Sequence, residues 1–201
     1  MKIGPKYKIA RKLGGNVFEK TQTAKFALSE QKKNQKRWSR PRTNYATQLA
    51  EKQKVRFHYG LTEKQLSKYV KQVINSKSKN PAADIFNLLE SRLDSIILRS
   101  GFARTRFQAR QAASHGHFKV NKRKATVPSM KITTKDEIIL ADSKKESPLY
   151  VEMIETIKDV NSPSWISIDI KDHSIKLKNE PVYNQTEYPF DLLSIIQFYK
   201  R

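Results

Sequence analysis

Residues 89–128 read LESRLDSIILRSGFARTRFQARQAASHGHFKVNKRKATVP, and the order of patterns within them decides the fold. Leu89, Leu93, Ile96 and Ile97 recur at helical spacing, and Gly101 follows where a left-handed C-terminal cap belongs. Thr105 precedes Arg106 with Gln108 three residues on, a capping-box pattern that starts a second helix and carries it to near Gly116. Ala109, Ala112 and Ala113 give that helix a thin apolar stripe, which predicts close packing on the first helix with Arg106 and Arg110 sharing a solvent face. Beyond Gly116, residues 117–121 alternate like a strand, Lys122, Arg123 and Lys124 fill a turn, and Thr126 and Val127 lead back. The stretch holds nine Lys/Arg against two acids, so a helix pair followed by a basic ribbon predicts a surface for phosphate oxygens.

Working outward, the charge is uneven. The 201 residues carry 40 Lys/Arg against 19 Asp/Glu, a net charge of +21 that calls for a polyanionic partner. Residues 1–58 hold sixteen basic and three acidic side chains and residues 91–131 ten and one, whereas residues 132–201 hold nine and twelve. Two basic blocks are therefore expected to grip RNA, and the acidic region to face solvent or protein. There is no Cys, hence neither disulfide nor thiolate zinc site. The apolar runs are only a few residues long, which predicts no membrane span and no secretory segment.

Residues 1–42 carry Lys6, Lys8, Arg11, Lys12, Lys36, Arg37, Arg40 and Arg42 among few large apolar side chains and predict a basic arm that orders only against RNA. Phe18 and Trp38 within it suit stacking on unpaired bases or plugging a packing gap. After Pro41 a helix bearing Lys52, Lys54 and Arg56 runs to Gly60. Thr62 and Gln65 form a second capping box, and Leu66, Tyr69, Val70, Val73 and Ile74 follow as an amphipathic core stripe. Pro81 opens the next helix, whose Ile85, Leu88, Leu89, Leu93, Ile96 and Ile97 predict one continuous buried face. Ile132 and residues 138–140 predict strand, Pro148 a helix through Ile157, residues 166–170 a half-buried strand and residues 192–199 a final helix.

Enzymatic chemistry finds little footing. The six glycines, at 4, 14, 15, 60, 101 and 116, spell neither a P-loop nor a dinucleotide fingerprint. The four His form no metalloprotease motif, and His115 with His117 two residues apart lacks carboxylate company for a metal. His115 instead suits RNA contact or a helix end. Arg92-Leu93-Asp94 is similar to the tripeptide carrying the catalytic Asp of pseudouridine synthases, but Leu93 belongs to an apolar helical stripe and no catalytic domain follows. Asp94 is expected to be a surface or intramodule salt-bridge partner. No catalytic residue, cofactor or metal ligand is expected.

The strings LLESRLD (88–94), GFARTRFQARQ (101–111), SHGHFKVN (114–121), VPS (127–129), GPKYK (4–8), EKQKVRFHYGLTEKQ (51–65) and WISID (165–169) together resemble the bacterial-type small-subunit ribosomal protein S-four family from end to end. The resemblance implies an α+β protein: a basic arm (1–42), a helical domain (43–87 plus 185–201) and an inserted α+β domain (88–184) containing the RNA-binding module at about 89–145. It implies a structural constituent of the small ribosomal subunit that binds 16S-type ribosomal RNA early and nucleates assembly. Its implied neighbours are small-subunit protein five and messenger RNA, with Arg40 and Arg42 where the messenger enters and an influence on decoding accuracy. The RNA contacts fall to the arm lysines and arginines, to Lys52, Lys54 and Arg56, and to Arg104, Arg106, Arg110, His115, Lys119, Lys122, Arg123 and Lys124. Where some members carry zinc-binding Cys, this chain reads KYKIARKLG (6–14), so zinc is not expected. Where many have Asn-Gly in the hairpin it has Asn121-Lys122, which predicts a longer turn than type I′. The family's Pro-Gly-Gln-His-Gly turn is replaced by a Lys/Gln-rich run at 31–37. The expected compartment is bacterial cytoplasm, with plastid stroma as the alternative. The competing function is a stand-alone RNA-binding regulator, a ribosome-rescue factor or an accessory of RNA modification.

Overall fold

The computed structural model describes residues 3–14, 17–34, 43–157, 162–184, 187–188 and 190–200. In chain order the helices are α1 (Lys6–Leu13), α2 (Ala24–Asn34), α3 (Asn44–His58), α4 (Glu63–Asn75), α5 (Pro81–Glu90), α6 (Leu93–Arg99), α7 (Arg106–Ser114), α8 (Asp142–Lys145), α9 (Pro148–Ile157) and α10 (Leu192–Tyr199). The strands are β1 (Phe118–Val120), β2 (Arg123–Ala125), β3 (Glu137–Leu140), β4 (Ile166–Asp169) and β5 (Ser174–Leu177). The fold is α+β. One compact unit comprises Met1–Ile85 and Tyr183–Arg201, the other Phe86–Val182.

In the first unit, residues 3–14 and 17–34 depart from the expected unstructured arm. Ala10, Leu13, Val17, Phe18 and Phe26 close a small core on which Ala50 and Phe57 of α3 pack. These few apolar groups suffice because α1 places Ala10 and Leu13 on one face. Gly14, at φ +93°, ends α1 by donating its N–H to the Ala10 carbonyl at 2.9 Å. Phe18 is 3% exposed and fills this core. Further along, Thr43 caps α3, and the Thr62–Gln65 capping box closes reciprocally at the start of α4. The last helix, α10, packs on α3 and α4 through buried Leu192, Ile195 and Ile196. Its cap Asp191 accepts from the Leu193 N–H and donates its own N–H to Glu51 at 2.9 Å.

The single long helix expected across residues 81–100 is broken, and the break falls within the second unit. Pro81 does open α5, but Arg92 is extended at φ −74°, ψ 144°, and α6 starts anew at Leu93. The cause is a backbone exchange with residues 128–132. Leu93 N–H bonds Met130 O at 2.9 Å, Asp94 N–H bonds Pro128 O at 3.1 Å, and Ile132 N–H bonds Ser91 O at 2.8 Å. Helical periodicity on both sides of the break disguises it, since neither Gly nor Pro marks the spot. Ile132, expected in a strand, is a buried loop residue fixed by that bond.

The five strands form an antiparallel sheet in the order β2-β1-β3-β5-β4. Phe118, Val120, Ile138, Leu140, Ile166, Ile175 and Leu177 join Leu93, Ile96, Ile97, Ala109 and Ala113 in one core. The β1–β2 turn corrects the expectation of a long loop. Val120 pairs with Arg123, leaving two turn residues, Asn121 at φ +50° and Lys122 at φ +67°, the signature of type I′. Asn121 tolerates the left-handed region and is pinned there: its amide donates to Asp136 at 2.6 Å and its carbonyl accepts from Glu137 N–H at 3.1 Å. Arg123 and Lys124, expected in the turn, therefore lie on a strand.

Candidate nucleic-acid interface

Two buried carboxylates organise the helix pair. Glu90, 0% exposed, accepts from Arg99 Nε at 3.0 Å and Nη2 at 2.8 Å, with Arg106 Nη2 at 3.5 Å. Arg106 Nη1 donates to Ser95 Oγ at 3.0 Å, and that hydroxyl donates to the Leu89 carbonyl at 2.8 Å. Asp94 accepts from Arg92 Nε and Nη2 at 2.9 and 2.8 Å and from Arg110 Nε and Nη2 at 3.1 and 2.8 Å. Such forked pairs fix the guanidinium planes as well as their charge. Four guanidinium groups on two carboxylates leave positive charge in excess, carried by the half-buried Arg99 and Arg110. Arg106, however, is 6% exposed. It does not share a solvent face with Arg110 because the inward carboxylate claims its guanidinium, so it is withdrawn from the surface cations.

The hairpin behaves oppositely. Lys122, Arg123 and Lys124 are exposed, and among the described residues none has an acidic partner. Nearby cations are loosely tied: Lys119 to Asp142 at 2.7 Å, and Arg104 to the exposed Glu152. Surface pairs of this kind open at little cost. His115 is exposed beside the His117 ring, with centroids 5.9 Å apart. His117 Nδ1 lies 2.8 Å from the Tyr150 hydroxyl. Burial, then the charges of Lys144, His115 and Lys124, hold His117 below its ordinary value and so neutral at pH 7, while burial pushes the Tyr150 hydroxyl up to about 12.

In the first unit, Lys8, Arg11 and Lys12 are exposed along α1 and Lys6 is half-buried, 5.8 Å from the Phe18 ring. Lys52 is a second correction. It is 7% exposed, pairs with Glu63 at 2.9 Å and lies 4.5 Å from the Phe198 ring, so it staples α3 to α4 and α10. Partial burial works to raise the Glu63 carboxyl, but hydrogen bonds from Lys52 and Tyr199, with the charges of Lys52 and Arg56, outweigh it and bring it down. Lys54 pairs with Glu51 at 2.7 Å, and Arg56 reaches Glu63 at 3.5 Å while its guanidinium lies 4.8 Å from the Phe57 ring. Lys36, Arg37, Trp38, Arg40 and Arg42 lie outside the described residues.

Glu90 and Arg99 escaped the sequence reading, and Met130 with them, while Arg92 figures there only as part of the tripeptide with Asp94. A buried acid in an apolar helical stripe, Glu90 after Leu89, was the available signal. Asp94 stands where the salt-bridge reading put it. Among the described residues, no cluster of three His, Cys, Asp or Glu could hold a metal, and no helix is long and apolar enough to cross a membrane.

An antiparallel sheet edged by a basic hairpin and backed by an arginine-braced helix pair, with a second basic helical unit, defines an RNA-binding protein. Residues 1–90 match the family model of the ribosomal protein S4/S9 N-terminal domain, and residues 91–138 match that of the S4 domain. The chain is 36% identical to the small ribosomal subunit protein uS4 of Persephonella marina, over 98% of this chain and 97% of that one. It is 34% identical to the protein of the same name from Thermus thermophilus, over 99% and 98%. The chain belongs to the uS4 family of small ribosomal subunit proteins.

Proposed function

We propose that this chain is a structural, non-catalytic constituent of the small ribosomal subunit that binds its ribosomal RNA directly. The observation carrying this reading is the row of exposed cations, Lys122 to Lys124, that have no acidic partner among the described residues, on the sheet edge of a chain whose relatives, named as small ribosomal subunit proteins, it matches over nearly its whole length. Phosphate contacts come from Lys8, Arg11 and Lys12 on α1, with Lys6 beside them, from Lys54 and Arg56, and from Arg104, Arg110, His115, Lys119 and the hairpin. Each neutralised phosphate releases counterions, so contact with about 6–10 phosphates makes affinity fall by roughly 10³–10⁵ between 50 and 200 mM salt. Specificity comes from RNA shape, because side chains do not reach into the deep groove of A-form helices.

Early RNA binding that nucleates assembly, contact with small-subunit protein five, and a place where messenger RNA enters, with Arg40 and Arg42 facing it and an effect on decoding accuracy, extend this reading; their support is the family resemblance. The bacterial organisms of the relatives support a bacterial cytoplasmic ribosome. Cosedimentation tests the core of the proposal: the protein should remain on small subunits washed at moderate salt, and its loss into the wash would defeat the reading. Purified chain should also bind a folded junction of small-subunit RNA more tightly than an unrelated duplex at the same salt.

A further inference from the structure

A pocket of ≈ 400 Å³ opens beside the hairpin, lined by Val120, Asn121, Arg123, Lys124, Ala125 and Met130. Its size falls within the range of about 300–1,000 Å³ that holds small ligands. Val120 and Ala125 supply a buried apolar floor continuous with the core. Met130 is returned toward them by a turn in which its N–H bonds the Val127 carbonyl at 3.1 Å.

The rim is polar for a reason built into the ladder. With two residues in the turn, Val120↔Arg123 and Phe118↔Ala125 are the hydrogen-bonded pairs and Lys119↔Lys124 the non-bonded one. The other side of β1 shows the same alternation, for the Asn121 N–H turns to β3 and bonds Glu137 O at 3.0 Å. Lys124 therefore points its backbone N–H and C=O away from β1, and β2 is the outermost strand. A donor and an acceptor stand side by side at the edge of an apolar bed. The exposed cation of Arg123 shares the face of Val120 and Ala125, whereas the Lys124 side chain lies on the other face, its stem laid so closely over Gly116 that a Cβ there would overlap it.

We propose that this pocket takes a single unstacked nucleobase of the bound RNA, its flat face against Val120, Ala125 and Met130, its polar edge on the Lys124 backbone and its phosphate on Arg123. A free edge of β2 guarded only by charge would need no apolar bed beside it. The inference rests on the RNA-binding reading and adds to it a contact that depends on the base rather than the phosphate.

Full-length protein is titrated with a short single-stranded RNA of mixed sequence and with a strand of equal length whose riboses are all abasic, at one salt concentration. The normal strand should bind about tenfold more tightly, the lower end of what one well-made base contact gives. Met130→Gln should abolish most of that difference without changing the salt slope, while Met130→Leu should retain it. If Met130→Gln lowers the melting temperature, photo-crosslinking decides: 4-thiouridine in the normal strand should attach within residues 120–130 of the wild-type chain. Equal binding of the two strands, or crosslinks confined to other segments, overturns the base pocket and leaves the hairpin as a phosphate contact. Failure of both strands to bind even at low salt would instead strike at the RNA-binding reading itself.

Discussion

The helix pair α6–α7 and the β1–β2 hairpin adjoin in the chain and are both rich in cations, yet they use them in opposite ways. On and just before the helices, Arg92, Arg99, Arg106 and Arg110 are engaged by Glu90 and Asp94. On the hairpin, Lys122, Arg123 and Lys124 stand exposed without acidic partners among the described residues. Local charge density thus does not by itself mark a binding surface. What separates the two is whether a carboxylate is buried within reach, because a charge taken out of water must be paired.

The largest effect on this contrast is expected from Glu90→Ala. It strands Arg106 in the interior without its carboxylate and should cost about 3–5 kcal/mol of stability, read by denaturant unfolding. If the variant unfolds at the wild-type midpoint, the network is not what fixes the helix pair. Replacing Lys122, Arg123 and Lys124 together with Gln should do the reverse. Stability should stay within about 0.5 kcal/mol, while the slope of log affinity for RNA against log salt becomes shallower by about 3.

Lys122→Gly separates folding from binding at one position. A left-handed Lys costs about 1–2 kcal/mol, and the extra freedom of Gly in the unfolded chain returns about 0.4–1. The variant should therefore be more stable by roughly 0.5–1 kcal/mol, yet lose one phosphate contact in the salt slope. A drop in melting temperature would show that Lys122 has a folding role. The smallest expected effect is on pH. The folded state holds His117 below its ordinary value of 6.5, so the unfolded chain takes up that proton first as pH falls. The His117 contribution to stability is fully present above pH 6.5 and is lost progressively as pH falls from there through the lower folded-state value. Unfolding midpoints at about pH 7.5 and 5.5 should differ less in His117→Gln than in the wild type.

Local signals are legible in the sequence where the physics is local. The Thr62–Gln65 capping box, Pro81 at the start of α5, the Thr105 cap and the closing α10 can all be read, because each depends on residues within a turn of one another. At Thr105 only half of the expected box forms. Thr105 accepts from Gln108 N–H, but the Gln108 side chain takes the N–H of Arg104 instead. The break at residues 91–92 is not legible, since its cause lies some forty positions downstream in residues 128–132. The type I′ turn is hidden for the same reason. Lys122 is a poor local choice for such a turn, and the bonds of Asn121 to Asp136 and Glu137, on the far side of β1, come from residues some fifteen positions downstream.

Composition and local order are enough to make this chain a basic, α+β, RNA-binding member of its family, because total charge, capping patterns and apolar periodicity are properties of neighbouring residues. Which cations remain for RNA is settled only once the chain has folded. That choice turns on Glu90, Asp94 and Glu63, whose arginines and lysine approach from other turns and other helices; charge is written in composition, but its availability is a matter of distance and burial.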